Sequence, residues 1–287
     1  MLVAVGDDKI LKAFLYTAFA LVAFAFNSIL CRLALRGEEA DAVGFTAVRL
    51  ASGAVMLIVI SYFITRKSSG IKSGSWTSAF FLFAYAICFS LAYLDLTAGT
   101  GALILFGSVQ MTMIFVSLFR GERPRLLEWL GLVTAVGGLV YLVFPGLASP
   151  PLYNSLLMAS AGAAWGFYTL RGRSAGDPLA NTTGNFVRSV PMIAIAAIPF
   201  LSKIHLSDRG ILLALLSGAV TSGIGYTVWY AALKFHTATR AAVLQLAVPI
   251  IAAVVGVVFL AEAANVRLIV AAVMILGGIG LTIARKR

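Results

Sequence analysis

Charge is what this sequence has least of. Only 11% of its 287 residues are charged, where a soluble domain carries about 25%. Acids are scarcer still, 11 Asp and Glu against 22 Lys and Arg. With 61% hydrophobic residues and a mean hydropathy of +0.98, this scarcity places the chain in a membrane. A formal charge of +11 and a pI near 10.0 would suit nucleic acid. The basic residues lie between apolar runs, however, so they belong to membrane loops and no nucleic-acid partner is implied. Cysteine is almost missing: Cys31 and Cys88 both sit in apolar runs, which excludes a disulfide scaffold or a Cys-rich metal site. Neither histidine, His205 nor His236, lies in a run, and no metal or organic cofactor is called for. The N-terminal MLVAVGDDKILK lacks a basic leader followed by a small-residue cleavage site, so the first apolar run is read as a retained helix.

What the chain has is long apolar runs. A hydrocarbon core of about 30 Å needs about 20 helical residues per crossing. That rule gives ten spans, at 11–33, 43–64, 76–95, 99–119, 127–144, 153–171, 185–201, 211–233, 240–260 and 266–284. Membrane strands would show alternation over about 10 residues instead. The seventh run holds Pro191 and Pro199 and is expected to kink. Only 65–75 and 172–184 have typical loop chemistry, which leaves no room for a soluble domain. With the N-terminus in the cytoplasm, fifteen basic residues fall in cytoplasmic segments and five outside, so both termini are expected there.

The runs repeat. Residues 97–124 lie on 237–264 at an offset of 140 without a gap: Thr97 on Thr237, Phe119 on Phe259, Glu122 on Glu262. At the same offset Gly137-Gly138 meets Gly277-Gly278, and at 139 Val48-Arg49 meets Val187-Arg188. About 14–142 therefore repeats as about 154–282, five spans each. Five is odd, so the second copy enters the bilayer from the opposite side. The expected fold is all-α: ten transmembrane helices as two inverted five-helix repeats around a central cavity, with halves at 1–147 and 148–287. Many secondary transporters build alternating access from that architecture. One chain holds both repeats, so a monomer can be complete.

Residues 232–281, ALKFHTATRAAVLQLAVPIIAAVVGVVFLAEAANVRLIVAAVMILGGIGL, carry a Thr/Ala-rich helix start, a mid-helix proline, an exit glutamate and a glycine pair. Residues 94–142 repeat the plan more weakly, with Val109 where Pro249 stands in the second copy. AFAFNSILCRLAL (23–35) and AAWGFYTLRGR (163–173) complete the pattern. These features resemble the drug/metabolite transporter superfamily, and within it the EamA-type exporters of bacterial inner membranes. The resemblance implies a basket of ten helices around a cavity, the last helix of each half packed outside. It also implies export of amino acids, often aromatic ones, and of their toxic analogues.

All eleven acids fall at span ends or in loops, Asp95, Glu122 and Glu262 among them. A carboxylate in mid-membrane, where a proton and a cationic drug would compete, is missing. The solute is therefore expected to be neutral or zwitterionic, and transport to run down its own gradient as uniport or exchange. Coupling through a boundary acid is the alternative. Glu122 and Glu262 are read as carboxylates favouring the N-terminus of the next helix, the alternative being gate ion pairs such as Glu122 with Arg123 or Arg125. Arg49 and Arg188 are read as interfacial snorkellers, the alternative being a substrate-carboxylate site. Arg36 is placed in an outer loop. The substrate-binding candidates are polar and aromatic residues inside spans: Asn27, Tyr85, Ser90, Gln110, Trp165, Tyr168, Ser222, Tyr226 and Gln245. For each of them a helix–helix contact is the competing reading. Gly223, Gly225 and Pro249 are candidate hinges. A nucleotide-sugar or sugar-phosphate exchanger would need a basic cluster in the cavity, and a proton-coupled drug exporter a deep acid. An intramembrane enzyme would need a catalytic pair at membrane depth. None of these is evident.

Overall fold

A computed structural model describes residues 2–65, 72–119, 126–144, 146, 149–172, 177–236 and 244–284. The first half contributes α1 (Leu2–Arg36), α2 (Ala42–Thr65), α3 (Trp76–Ala92), α4 (Ala98–Phe119) and α5 (Leu126–Val143). The second contributes α6 (Leu152–Gly172), α7 (Pro178–Ala197), α8 (Asp208–Leu233), α9 (Ala247–Leu260) and α10 (Val266–Ala284). Among the described residues the one pairing of extended backbone outside strands is the bridge between Ala40 and Leu206. Large apolar side chains on the outer faces, such as Phe63 at 76% exposure and Val258 at 67%, mark the surface that lipid covers.

One boundary differs from expectation and one span is interrupted. Helix α7 begins at Pro178, inside the segment read as loop. Asp177 caps it, accepting from Ala180 N–H at 3.1 Å, and Pro178 takes the first helical position, where its missing N–H costs nothing. The helix continues through Pro191 and tightens to 3-10 winding only at Ile198–Lys203, around Pro199. Helix α9 is continuous from Ala247; a turn at Leu246 separates it from the helical pair 244–245, and 240–243, where the span was expected to begin, lie outside the described residues. Pro249 sits in the first turn after that break; having no N–H, it leaves the carbonyl of Gln245 without a helical donor.

Contacts between helix ends fix the direction of each crossing. At the face where α1 ends, Arg32 Nη1 donates to the carbonyls of Tyr93 (2.9 Å) and Leu94 (2.7 Å) after α3. There too Asn154, at the start of α6, donates to Leu91 O at 3.3 Å, and Arg267, at the start of α10, lies 5.6 Å over the Tyr141 ring near the end of α5. His205 N–H, after α7, donates to Asp41 Oδ2 at 2.9 Å. At the opposite face Thr17 meets His236 at 2.7 Å, and Asn185 accepts from Ser75 N–H at 2.9 Å. Helix α6 thus starts where α1 ends, and the second half is inverted relative to the first.

The packing exchanges under that inversion. Helix α1 packs on α8 as α6 packs on α3, α1 on α9 as α6 on α4, and α2 on α8 as α7 on α3. The last helices of the two halves, α5 and α10, pack on each other through the second glycine of each matched pair. A Cβ on Gly138 would lie 2.8 Å from Met274 Cβ, and one on Gly278 2.5 Å from Gly131 O. The landmark that revealed the duplication is therefore the seam between its copies.

Candidate substrate cavity

Five helices from both halves bring rings to one place. Phe24 and Asn27 come from α1, Tyr85 and Phe89 from α3, Leu105 and Phe106 from α4, Trp165 from α6, Thr221 and Tyr226 from α8. They line a cleft with ≈ 350 Å³ of empty space, its open mouth included. Trp165 is the hub: its centroid lies 4.9 Å from Tyr85, 5.0 Å from Tyr226 and 5.3 Å from Tyr168. Phe24 meets Tyr226 edge-on at 5.8 Å. The spacings are those of tilted and edge-to-face aromatic pairs. Because the rings already touch, a solute stacking on Trp165 must part them.

One edge of the cleft is polar. Asn27 Oδ1 accepts from Ser217 Oγ at 2.7 Å and lies 3.2 Å from Thr221 Oγ1, whose hydrogen it shares with Ser217 O at 2.8 Å, while its Nδ2 donates to Tyr85 Oη at 3.3 Å. The π-wound stretch of α8, Leu216–Ile224, aims Ser217 and Thr221 at that amide. Such widened turns are common at functional sites. The stretch packs hard on α2: a Cβ on Gly218 would lie 2.1 Å from Arg49 O and 2.0 Å from Ser52 Oγ.

Arg49 itself overturns the snorkelling expectation. It is 2% exposed, turned into the bundle, and donates through Nη2 to Tyr85 Oη at 3.0 Å. Its guanidinium carbon lies 4.9 Å from the Phe89 centroid and 5.3 Å from that of Tyr85. The matched Arg188 instead ties α7 to the segment before α3, donating to Gly184 O (2.9 Å), Lys72 O (3.2 Å) and Ser73 O. The reason is local: the α8 backbone closes over Arg49, whereas Arg188 faces a ring of loop carbonyls.

Of the nine substrate-binding candidates, Asn27, Tyr85, Trp165 and Tyr226 line the cleft. Tyr168 is buried behind Trp165. Ser90 joins α2 to α3, receiving Thr46 Oγ1 at 2.8 Å and donating to Ala86 O at 3.1 Å. Gln110 and Ser222 are buried away from the lining, and Gln245 is half-buried beside the break before α9. Gly223 faces Met56 at 3.1 Å and Gly225 faces Ala23 at 3.0 Å, measured from an added Cβ, so both allow close helix approach.

The exit glutamate serves a different helix from the one expected. Ala261, in the left-handed conformation (φ 49°), ends α9 and turns Glu262 back into the bundle. Glu262 Oε2 accepts from Ala98 N–H at 2.8 Å, so it caps α4 and not α10. Helix α10 is capped by Asn265, which accepts from Leu268 N–H at 2.7 Å. Glu262 Oε1 lies 3.4 Å from Arg32 Nε, the two side chains 5% and 11% exposed. Arg36, expected in a loop, closes α1 and donates to Leu260 O at 2.9 Å, at the carbonyl end of α9. Asp95 is exposed, and Glu122, Arg123 and Arg125 lie outside the described residues.

A model of the EamA-like transporter family matches this chain twice, over residues 11–144 and 153–284. The chain belongs to the EamA-like transporter family. It is 48% identical over 275 residues to an uncharacterised protein of Pseudomonas aeruginosa, covering 96% of each. It is 28% identical over 258 residues to the threonine/homoserine exporter RhtA of Salmonella typhimurium, covering 86% of this chain and 83% of that one. A crystal structure 18% identical shares the fold, with a TM-score of 0.66 over 94% of both chains. Each EamA match spans one set of five helices, so this is a multi-pass membrane transporter. Within the EamA fold, the lining residues that sequence reasoning passed over are Phe24, Phe89, Leu105 and Phe106. Two carried a signal: Phe24 precedes Asn27 by three residues and Phe89 follows Tyr85 by four, so each shares a helix face with a named polar residue.

Proposed function

We propose that this protein exports amino acids, neutral or aromatic ones above all, or similar small metabolites. It works by alternating access in a bacterial inner membrane, with both termini in the cytoplasm. The halves at 1–147 and 148–287 rock about the cleft, hinging near Gly223, Gly225 and Pro249. The observation that carries this reading is the aromatic cleft built by α1, α3 and α4 of one half and α6 and α8 of the other. Its rings suit an apolar or aromatic side chain, and Asn27 and Tyr85 supply the few polar groups that orient a solute. In the same reading Tyr168 and Ser90 hold the wall, and Gln110, Ser222 and Gln245 meet the solute at other stages of the cycle. The amino-acid exporter among the relatives supports the substrate class.

Transport is uniport or exchange. No acid contributes to the described lining, and Asp95, a boundary candidate for coupling, is exposed. The test is efflux from liposomes holding the purified protein, loaded with a panel of amino acids, with and without a pH gradient. Efflux should follow the solute gradient and ignore the proton gradient. A severalfold stimulation by pH, abolished by Asp95→Asn, would reject uniport. No efflux of any solute on the panel would reject the substrate class.

A further inference from the structure

Arg49 is a charge without a counter-charge. The two ion pairs among the described residues are Arg32–Glu262 and Arg209–Glu39, and neither includes it. Its support is two aromatic faces and one tyrosine oxygen. Nη1 is buried with no hydrogen-bond partner among the described residues. A bare guanidinium inside a membrane protein is costly and in general marks a functional site.

The groups beside it have one polarity. Tyr85 Oη accepts from Arg49 Nη2 and from Asn27 Nδ2, so it has only its own hydrogen left to give. Asn27 Oδ1 accepts from Ser217 Oγ, and Thr221 Oγ1, whose one hydrogen is shared with Ser217 O at 2.8 Å, lies 3.2 Å from it. The polar edge therefore offers the Tyr85 hydrogen and, behind Tyr85 and Phe89 and outside the lining itself, an unmatched positive charge. Tyr85 and Phe89, the rings that hold the guanidinium, are themselves walls of the cleft. A ligand completing this edge must bring acceptor oxygens and negative charge, and must place an apolar or aromatic body among the rings.

We propose that Arg49 is the anion-binding residue of the cleft, and that the transported solutes carry a carboxylate that docks on Arg49 Nη1 and the Tyr85 hydroxyl. The inference rests on the export reading above and narrows it to carboxylate-bearing solutes. One guanidinium matches one carboxylate; a sugar phosphate or nucleotide diphosphate calls for more than a single cation. Removing Arg49 takes away recognition, but it also takes away an unpaired buried charge. Stability and transport should therefore move independently, which a purely structural arginine would not allow.

The experiment is exchange in liposomes of phenylalanine against phenethylamine, which lacks only the carboxylate. Wild type should move phenylalanine about tenfold faster or more, the worth of a charge-assisted hydrogen bond. Arg49→Gln and Arg49→Met should lose most of that rate and most of the discrimination, while Arg49→Met melts no lower than wild type. Phenylalanine should raise the melting temperature of wild type and leave that of Arg49→Met unchanged. Folded Arg49 variants with wild-type rate and discrimination would overturn the inference. If both variants fail to fold, Tyr85→Phe decides: it should slow phenylalanine severalfold and spare phenethylamine, and equal rates for both would overturn the inference. Wild-type liposomes that move acid and amine equally would remove the role of Arg49 alone. Liposomes that move neither would remove the export reading, and this inference with it.

Discussion

Glu262 offers a stability test whose size follows from geometry. Its carboxylate faces Arg32 at 3.4 Å, and both side chains are nearly closed off. The contact is Coulombic and not hydrogen-bonded, since neither Arg32 Nε nor Glu262 Oε1 has a hydrogen-bond partner among the described residues. At an effective dielectric near 20 two charges at this distance attract by about 5 kcal/mol before desolvation. Breaking a buried pair from one side costs about 3–5 kcal/mol. Arg32 would keep the carbonyls of Tyr93 and Leu94, so Glu262→Ala should fall at the low end, about 3 kcal/mol. Part of that loss is the uncapping of Ala98 N–H, worth about 1 kcal/mol. Glu262→Gln keeps an acceptor for Ala98 and should lose only about 2 kcal/mol. Reversible unfolding by dodecyl sulfate in mixed micelles reads these differences. A double-mutant cycle with Arg32→Met isolates the pair and should give about 1–2 kcal/mol. Glu262→Ala within about 0.5 kcal/mol of wild type, or a cycle that closes to zero, would refute the assignment.

Other substitutions test single contacts. Gly218→Ala puts a methyl 2.1 Å from Arg49 O, and it should cost about 3 kcal/mol or prevent stable insertion, judged by melting and by yield. Asp41 accepts from Val43 N–H and Gly44 N–H at 2.9 Å each and also from His205 N–H; Asp41→Ala should lower stability by about 1–2 kcal/mol in the same unfolding assay. Trp165→Phe keeps an aromatic wall and should keep the fold while slowing transport of aromatic solutes; unchanged rates would place their binding elsewhere. A cysteine replacing Ser69, in a protein lacking Cys31 and Cys88, should escape an impermeant maleimide applied to intact cells, and strong labelling would reverse the orientation.

The ten crossings and their inversion were legible because an apolar run of membrane length has few other uses and because the copies share one offset. Four cleft residues were legible for a related reason: a Tyr, Trp or Asn inside an apolar span stands out. Arg49 was not, since its depth depends on which way its helix face turns. That is decided by α8 closing over the Arg49 carbonyl at Gly218, a long-range contact no spacing reports. The turn at Ala261 was equally invisible, and with it the return of Glu262 to α4. The start of α7 had its signal in plain view, an aspartate followed by proline; the polar content of 172–184 outweighed it because that helix's first turns meet loop backbone, where polar residues belong.

The inverted repeat turns the Arg32–Glu262 pair into a prediction about the cycle. Arg32 falls on Arg171 at offset 139, and Glu262 on Glu122 at offset 140. Alternating access in such a repeat exchanges the conformations of the halves. Contacts made by one copy at one face should then be made by the other copy at the opposite face, in the other state. In this structure Arg32 is engaged with Glu262, while Arg171 is exposed and reaches Ser78 Oγ at 3.2 Å. The two pairs should therefore alternate, Arg171 joining Glu122 when Arg32 leaves Glu262. In a protein lacking Cys31 and Cys88, the double variant Arg32→Cys with Glu262→Cys should crosslink in one state, and Arg171→Cys with Glu122→Cys in the other. An added transported solute should raise one yield and lower the other. A four-cysteine variant whose single molecules close both crosslinks together, to completion, would show that the pairs are static fasteners and that the exchange of halves does not involve them.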